Sequence, residues 1–407
     1  MPEVNPSAIP VTPAGVRPRL DHLDLLRGAV IVLMAIDHVR DFFSHEVLSF
    51  QPTDLAQTYP ALFFTRWITH FCAPVFAFLA GTGAFLSFSR GKTKADLARF
   101  LVTRGLWLVF LEETFLRFSW TFNFDLQYFD AATLWALGWS MVALSVLVFL
   151  PLRAIAAVAL ILIGGHNLLD GVRPEAFGVL GWLWRILHVE GPLPLGGDVT
   201  LYIAYPLLPW IGVMAAGYAF GALMKKPREE RRQNVLWIGL AATAMFLILR
   251  AGNFYGDPQP WSVQKNTVFT ILSFLNCQKY PPSLLYLLMT LGPALVVLAF
   301  LDRERLARAT QPIIVFGRVP LFFYLLHFPL IHLLALVYSF AKYGAAPWLF
   351  AGPAAWNDEL RVYPADFGFG LPGVYAVWIL VVLMLYPACV WFSRVKQRRR
   401  DAWLSYF

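Results

Sequence analysis

The residues that could do chemistry in this sequence are ionisable side chains that interrupt long apolar segments. Asp37 and His38 follow an apolar stretch that begins after Arg27, and Arg66 and His70 lie four residues apart in the next segment. Burying such groups in hydrocarbon is unfavourable unless they are paired or hydrated, so they mark candidate sites. A neutral histidine can accept a proton from a hydroxyl or an amine, which is general base catalysis. We therefore interpret His38, Asp37 and His70 as catalytic candidates.

Further polar side chains in or beside apolar segments are expected to bind the substrate or the donor. A cation among them could stabilise an oxyanion or nucleotide phosphates, and Glu113 and Arg117 share a helix face by their spacing. The alternative is that these groups form structural ion pairs between or within helices, as Arg27 could with Asp24. The binding candidates are Arg27, Arg66, Glu113, Lys279, Tyr280 and His327.

The composition indicates that these groups belong to a membrane protein. Hydrophobic residues make up 58% of the chain and charged residues only 14%, and the mean hydropathy is +0.59. A soluble domain has about 25% charged residues, so this chain has too little polar surface to cover itself in water. Its pI of 9.4 does not indicate nucleic-acid binding, because the basic residues lie in short loops between apolar segments.

Ten segments are long and apolar enough to cross a hydrocarbon core about 30 Å thick, which requires about 20 residues each. They are 24–43, 65–89, 98–118, 131–151, 152–169, 201–224, 234–254, 282–301, 319–341 and 372–393. The stretch 176–190 is interpreted as an interfacial helix, and counting it as a span would give eleven. The predicted fold is thus an all-α polytopic membrane bundle of about ten, or eleven, transmembrane helices.

The basic residues predict the orientation of the bundle. The loops on one side carry basic clusters, at 90–99, 225–232 and 394–400, whereas the loops on the other side carry scattered ones. Positive residues mark the cytoplasmic side, so both termini are expected in the cytoplasm. The predicted organisation is a disordered cytoplasmic tail over 1–20, a membrane domain over 21–393 and a basic cytoplasmic tail over 394–407.

Several kinds of site have no motif in the sequence. It has no Walker loop, dinucleotide glycine fingerprint, HExxH metal motif or GxSxG elbow. The three cysteines lie in different segments without disulfide or metal spacing, so free thiols and no metal site are expected. The run Gly81-Thr82-Gly83 is interpreted as a patch where two helices pack closely.

Four of the motifs together resemble the transmembrane acyltransferase superfamily, and most closely the bacterial branch grouped with the catalytic domain of heparan-alpha-glucosaminide N-acetyltransferase. The similar blocks are Leu23-Asp24-Leu25-Leu26-Arg27-Gly28 with Asp37-His38, the stretch from Ala73 to Gly81, Lys279-Tyr280-Pro281-Pro282-Ser283, and Phe323-Tyr324-Leu325-Leu326-His327. These blocks are spread over most of the chain.

The resemblance implies transfer of an acyl group, an acetyl group in the first place, from acyl-CoA to a hydroxyl or amine of a sugar or glycan acceptor. It implies no bound cofactor and a catalytic histidine within the membrane, which His38 matches; lysosomal members instead carry this histidine in a luminal loop, where the present chain has only His45. Transfer could be direct or pass through an acyl-histidine. The implied location is a bacterial cytoplasmic (inner) membrane. The implied partners are the lipid bilayer, acyl-CoA and the acceptor, and the chain could form a homodimer.

Two other functions fit the same residues. A transporter for a small anion or a lipid-linked sugar would use the intramembrane histidine, aspartate and arginine groups to bind substrate or relay protons. A non-catalytic scaffold would leave the polar cluster unexplained. The acyltransferase interpretation requires a route by which the donor reaches the site. Acyl-CoA is cytoplasmic, whereas Asp37, His38, His70 and Lys279 are expected in the outer half of the membrane. A tunnel from the cytoplasmic face towards His38 would provide this route.

Overall fold

The computed structural model describes residues 20–304, 306–350, 363–399 and 401–406, and most of them are helical. The predicted N-terminal tail, apart from Leu20, lies outside the described residues. The helices are α1 (Asp21–Phe43), α2 (Pro60–Thr69), α3 (Cys72–Phe88), α4 (Lys94–Leu111), α5 (Arg117–Thr121), α6 (Thr133–Leu147), α7 (Leu152–Gly165), α8 (Gly181–His188), α9 (Leu207–Phe220), α10 (Arg228–Gly252), α11 (Thr267–Leu275), α12 (Leu284–Leu301), α13 (Gln311–Arg318), α14 (Pro320–Tyr343) and α15 (Leu371–Arg398).

Seven helical segments of the described chain are long and apolar enough to cross a membrane. They are Pro60–Phe88, Leu152–Leu169, Leu207–Lys225, Arg228–Gly252, Leu284–Leu301, Pro320–Tyr343 and Leu371–Arg398. The other three predicted spans are helical too, but α1 and α4 carry several charged residues and α6 has only 15 residues. The helical membrane fold is therefore shown, and the count of ten spans stays a prediction. With eight residues, α8 rises only about 12 Å, which is too short to cross.

A small sheet was not predicted, so the all-α interpretation is incomplete. Strand β1 (Tyr128–Asp130) pairs in parallel with β3 (Val199–Ile203), and β2 (Gly191–Gly196) pairs with β3 in the antiparallel sense, in the order β1-β3-β2. Strand β2 is an edge strand with two prolines, and this composition predicts a loop. Strand β3 overlaps the start of the predicted span 201–224, which begins as a helix only at Leu207.

Helix α1 packs against α2, α3, α12, α13, α14 and α15. Its contact with α13 is close because both helices carry a glycine there: a Cβ on Gly28 would lie 1.9 Å from the Ile313 oxygen, and a Cβ on Gly317 would lie 1.7 Å from the Asp24 oxygen. The close approach places Arg27 beside α13, where Nη1 donates to Asp24 Oδ1 at 3.0 Å and to the Gly317 oxygen at 3.3 Å. The Arg-Gly pair of the opening motif thus serves helix packing, and the expected ion pair with Asp24 is present.

Candidate active site

His38 on α1 contacts His327 on α14. Nδ1 of His38 lies 2.6 Å from Nε2 of His327, and Nδ1 of His327 lies 2.5 Å from the backbone oxygen of Tyr324. A carbonyl oxygen only accepts hydrogen bonds, so Nδ1 of His327 carries a proton and the Nε2 of its neutral ring is an acceptor. Nδ1 of His38 is therefore the donor to His327. In the neutral His38 ring, this leaves the lone pair on Nε2.

Aromatic side chains enclose the histidine pair. The centroid of the His38 ring lies 4.1 Å from that of Phe328, 5.8 Å from that of Trp120 and 6.3 Å from that of Tyr324. His327 is fully buried, whereas His38 is partly exposed. Among the described residues, no group forms a hydrogen bond with Nε2 of His38. This lone pair is therefore available to a reacting group.

Asp37 faces away from His38 and binds α2 instead, because successive residues of a helix point about 100° apart. Its carboxylate accepts hydrogen bonds from Nη1 of Arg66 at 2.5 Å and from the Thr69 hydroxyl at 2.7 Å. Nη2 of Arg40, which is 2% exposed, lies 2.8 Å from the same carboxylate. Asp37 is thus saturated by two cations and a hydroxyl, an arrangement that positions Arg66. Sequence reasoning gave Arg40 no role, although its spacing of three from Asp37 was the available signal.

His70 lies at the break between α2 and α3. Pro74 has no N–H to donate to the carbonyl four residues earlier, which belongs to His70, and the Tyr286 hydroxyl donates to that oxygen at 2.8 Å. The His70 ring packs against Tyr286 with 5.4 Å between centroids, and its Nδ1 is buried with no hydrogen-bond partner among the described residues. His70 is therefore close to the Arg66 group, but its ring contacts are separate from those of His38.

Lys279 and Tyr280 lie next to this cluster, in the loop before α12. Lys279 is near enough to Asp37, His38 and His70 to act on all three electrostatically. Its Nζ is 5.0 Å from the centroid of the Tyr280 ring. Burial alone would raise the pKa of the Tyr280 phenol, but the Lys279 and Arg66 cations outweigh it and hold that pKa below its usual value. The loop thus adds a cation and a polarised hydroxyl on the side of Asp37.

The expected pairing of Glu113 with Arg117 is not formed. Glu112–Leu116 is a π-helical turn, which contains an extra residue and removes the alignment of residues four apart. Arg117 instead donates from Nε to the Tyr128 oxygen at 2.8 Å, while both carboxylate oxygens of Glu113 are buried without a hydrogen-bond partner among the described residues. Glu112, which sequence reasoning passed over, accepts from the Leu134 backbone N–H at 2.5 Å at the start of α6.

A cavity of about 330 Å³ lies between the inner parts of α1, α3, α4, α6 and α14. Four cations line it, and they belong to the end of the bundle that the basic loops predict to be cytoplasmic: Arg27, Arg104, Arg318 and Lys396. The walls are mainly apolar, and Thr133 and Tyr324 also line the cavity. Its volume lies in the range of small-molecule sites.

The cavity leads towards His38 along one face of α1. Arg27, Ile31 and Met34 line it at intervals of four and three residues, and His38 is next on that face. On α14, Tyr324 lines the cavity and contacts the His38 ring. The deep end is therefore about one helical turn from the histidine pair. At Gly83, which also lines it, an added Cβ would meet nothing within 4 Å, so the close-packing interpretation holds for Gly81 but not for Gly83.

The family model described as heparan-alpha-glucosaminide N-acetyltransferase, catalytic, matches residues 19–253, more than half of the chain. The matched region runs from α1 to α10, and it contains Asp37, His38, Arg66 and His70 but neither Lys279 nor His327. No curated protein matches the chain. The family resemblance inferred from the motifs is confirmed.

Proposed function

The chain belongs to the family of the heparan-alpha-glucosaminide N-acetyltransferase catalytic domain, and from this premise we propose that it transfers an acyl group from acyl-CoA to a hydroxyl or amine of a sugar-like acceptor. The family makes it a membrane acyltransferase, and the transporter alternative is not favoured. The donor, the acceptor and the residues that act on them are our proposal. The observation that carries it is the cavity, which has cations at one end and the His38–His327 pair one helical turn beyond the other.

Acyl-CoA is proposed to enter this cavity with its thioester first. The guanidinium groups of Arg27, Arg104 and Arg318 and the Lys396 ammonium suit the phosphates of the nucleotide, which arginine binds through paired hydrogen bonds. The apolar walls suit the thin pantetheine arm. A thioester at the deep end would lie beside Tyr324, whose ring contacts that of His38. This arrangement supplies a cytoplasmic donor to a site in the outer half of the membrane.

His38 is the proposed general base, acting through Nε2. As the acceptor oxygen or nitrogen attacks the thioester carbon, Nε2 takes the proton from the attacking group. The carbon–sulfur bond then breaks, and the proton returns from Nε2 to the CoA thiolate, so His38 ends neutral. His327 holds the ring in the tautomer that this step requires. In the two-step variant, Nε2 attacks the thioester carbon and expels the CoA thiolate; the acceptor then attacks the acyl-histidine, the bond to Nε2 breaks, and the acceptor proton passes to the thiolate.

The acceptor is proposed to approach from the side of Lys279 and Tyr280. Arg66, held by Asp37, and Lys279 are cations that could stabilise the oxyanion of the tetrahedral intermediate. Asp37 is then a positioning residue. With the ten-span, N-in and C-in topology that we propose for a bacterial inner membrane, the acyl group crosses from a cytoplasmic donor to an acceptor on the outer side.

The test uses purified full-length protein in detergent or nanodiscs with radiolabelled acetyl-CoA and a panel of amino sugars and glycans. We expect release of CoA that depends on the acceptor, together with transfer of the label. His38→Ala should reduce both to a residual level, whereas His45→Ala should retain them, because His45 lies in the loop after α1, where its Nδ1 donates to the Phe367 oxygen. Arg104→Gln should raise KM for acetyl-CoA with little change in kcat, while Arg99→Gln, which lies outside the cavity, should not.

Two experimental outcomes would refute the proposed acyl transfer. One is the absence of CoA release and of transfer from every acyl-CoA supplied to folded protein. The other is unchanged transfer after His38→Ala.

A further inference from the structure

We propose that His166, Asp170 and His188 bind one divalent transition metal ion of the zinc class, and that the ion fastens α8 to the end of α7. The sequence predicted no metal site, and these residues take no part in the proposed acyl transfer. His166 and Asp170 lie one helical turn apart where α7 ends, and His188 is the last residue of α8. The loop between them folds back and joins the three side chains.

The donor atoms are close enough to share one ion. One ligand atom from each of the three residues lies within 4.8 Å of the others. Nε2 of His188 is 3.2 Å from Oδ1 of Asp170, and the two imidazole rings lie 5.6 Å apart at an interplanar angle of 74°. A tetrahedral zinc ion holds its ligand atoms about 3.4 Å apart. Small side-chain rotations would therefore bring all three ligands to bonding distance.

In the described part of the chain, the ring nitrogens of both histidines lack hydrogen bonds, although Nε2 of His188 lies within ion-pair distance of Asp170. Both are 2% exposed, and none of their four ring nitrogens has a hydrogen-bond partner among the described residues. The short approach of His188 to Asp170 is thus not aligned as a hydrogen bond. Buried polar nitrogens without partners are unfavourable. A metal ion would give one nitrogen of each ring a ligand bond.

The surrounding residues hold the carboxylate and the second imidazole in place. Nδ2 of Asn167 donates to Oδ2 of Asp170 at 2.9 Å, which leaves Oδ1 facing the histidines. The same Asn167 accepts from the Leu284 backbone N–H at 2.8 Å and so connects the site to α12. Trp184 packs against His188, with 5.1 Å between centroids, and donates from Nε1 to the Val172 oxygen at 2.8 Å. Such supporting contacts orient the ligands of protein metal sites.

The donor set selects the class of ion. Two imidazoles and one carboxylate are ligands of zinc sites that keep a fourth position for water, whereas calcium and magnesium prefer oxygen ligands throughout. The Asp170 side chain is 27% exposed, which gives the ion a path from solvent. Strand β2 begins three residues after His188, so an ion here would also fix the chain that enters the sheet.

The test measures metal content, which does not depend on acyl transfer. Tag-free full-length protein in detergent is stripped with a chelator, titrated with zinc chloride alone, desalted and analysed by elemental mass spectrometry. We expect about one zinc ion per chain and a melting temperature that rises with the zinc concentration, because the ion binds only the folded chain. Cobalt in place of zinc should give the visible absorption bands of a low-coordinate site.

Single-ligand variants separate a metal site from an ion-pair network. His188→Ala and Asp170→Asn should each weaken zinc binding by at least about tenfold and remove the cobalt bands, while His45→Ala should bind zinc like the wild type. Asp170 is partly exposed, so Asp170→Asn remains informative if His188→Ala does not fold. Wild-type protein without stoichiometric zinc at micromolar concentrations, or variants that bind zinc as tightly as the wild type, would overturn the proposal.

Discussion

Nδ1 of His38 and Nε2 of His327 lie 2.6 Å apart, although 289 residues separate them in the sequence. Together with the Tyr324 carbonyl they form a chain of two hydrogen bonds that ends at a lone pair on Nε2 of His38. This chain of hydrogen bonds is arranged like a catalytic triad, in which a third group orients the base. A carbonyl dipole here takes the place of a carboxylate. The carbonyl therefore fixes the tautomer without placing a negative charge beside the ring.

His327→Ala is expected to lower kcat for acyl transfer by about 10²- to 10⁴-fold, since His38 loses the acceptor that fixes its tautomer. Steady-state kinetics with acetyl-CoA measures this change, and KM for the donor should move little. His332→Ala, at another buried histidine of the same helix, is the matched control for loss of packing. The double variant His38→Ala/His327→Ala should be no slower than His38→Ala alone, because the two residues act as a unit. Additive losses would disprove the relay.

Gly83→Leu is expected to fill the donor cavity and to raise KM for acyl-CoA or abolish transfer, while leaving the fold intact. The reason is that a Cβ at Gly83 meets nothing within 4 Å and the position lines the cavity. Gly164→Leu is the matched control, because its Cβ is equally unobstructed but the residue lies outside the cavity. Binding of acetyl-CoA, followed by calorimetry, should be lost only in the first variant. Unchanged donor affinity in Gly83→Leu would place the donor elsewhere.

Asp37→Asn is expected to destabilise the protein by about 3–5 kcal/mol, because it leaves the buried Arg40 and the half-buried Arg66 without their counter-charge. The melting temperature in detergent measures the loss. Asp41→Asn is the control: its side chain is 34% exposed and 3.7 Å from Arg40, so the melting temperature should change little. Equal effects of the two substitutions would show that Asp37 does not organise the cluster.

Asp130→Asn is expected to remove part of the pH dependence of stability. Burial, and then the charge of Glu190, raises the pKa of Asp130 to about 7. An acid whose pKa rises on folding binds more protons in the folded chain, so its stabilising contribution is present below about pH 4 and is lost as the pH rises towards 7. The melting temperature of the wild type should therefore fall between about pH 4 and 7, and less so in the variant.

Asp198→Asn, at an exposed position before β3, is the control for this pH series and should follow the wild type. A wild-type melting temperature that rises over the same interval, with no difference in Asp130→Asn, would contradict the raised pKa.

Some parts of the candidate site follow from the sequence alone. The helical angle between neighbours predicts that Asp37 and His38 face different helices, and in the structure Asp37 contacts α2 while His38 contacts α14. Pro74 has no N–H and so leaves the His70 carbonyl without its helical donor, and the Tyr286 hydroxyl donates to it instead. Both inferences concern residues within one turn of each other, where backbone geometry decides the outcome.

Other parts could not be read from local patterns. Glu113 and Glu112 are equally plausible acids by sequence, and a π-helical turn decided which of them caps α6. Strand β2 forms despite two prolines because it lies at a sheet edge, where only one side needs hydrogen bonds. The histidines of the proposed metal site have no recognisable metal spacing until the loop between α7 and α8 folds back.

The sequence by itself determined that the protein is a helical membrane protein of this acyltransferase family, because hydropathy and motif spacing are local properties that do not depend on how the helices pack. It also placed His38 and Asp37 on one helix within the apolar region. Only the tertiary structure decided that His38 meets His327, that Asp37 holds Arg66, and that a cavity lined by cations stops one turn short of the histidine pair. Those facts depend on how helices far apart in the chain pack together, and close contacts such as that of Gly28 with α13 set the packing.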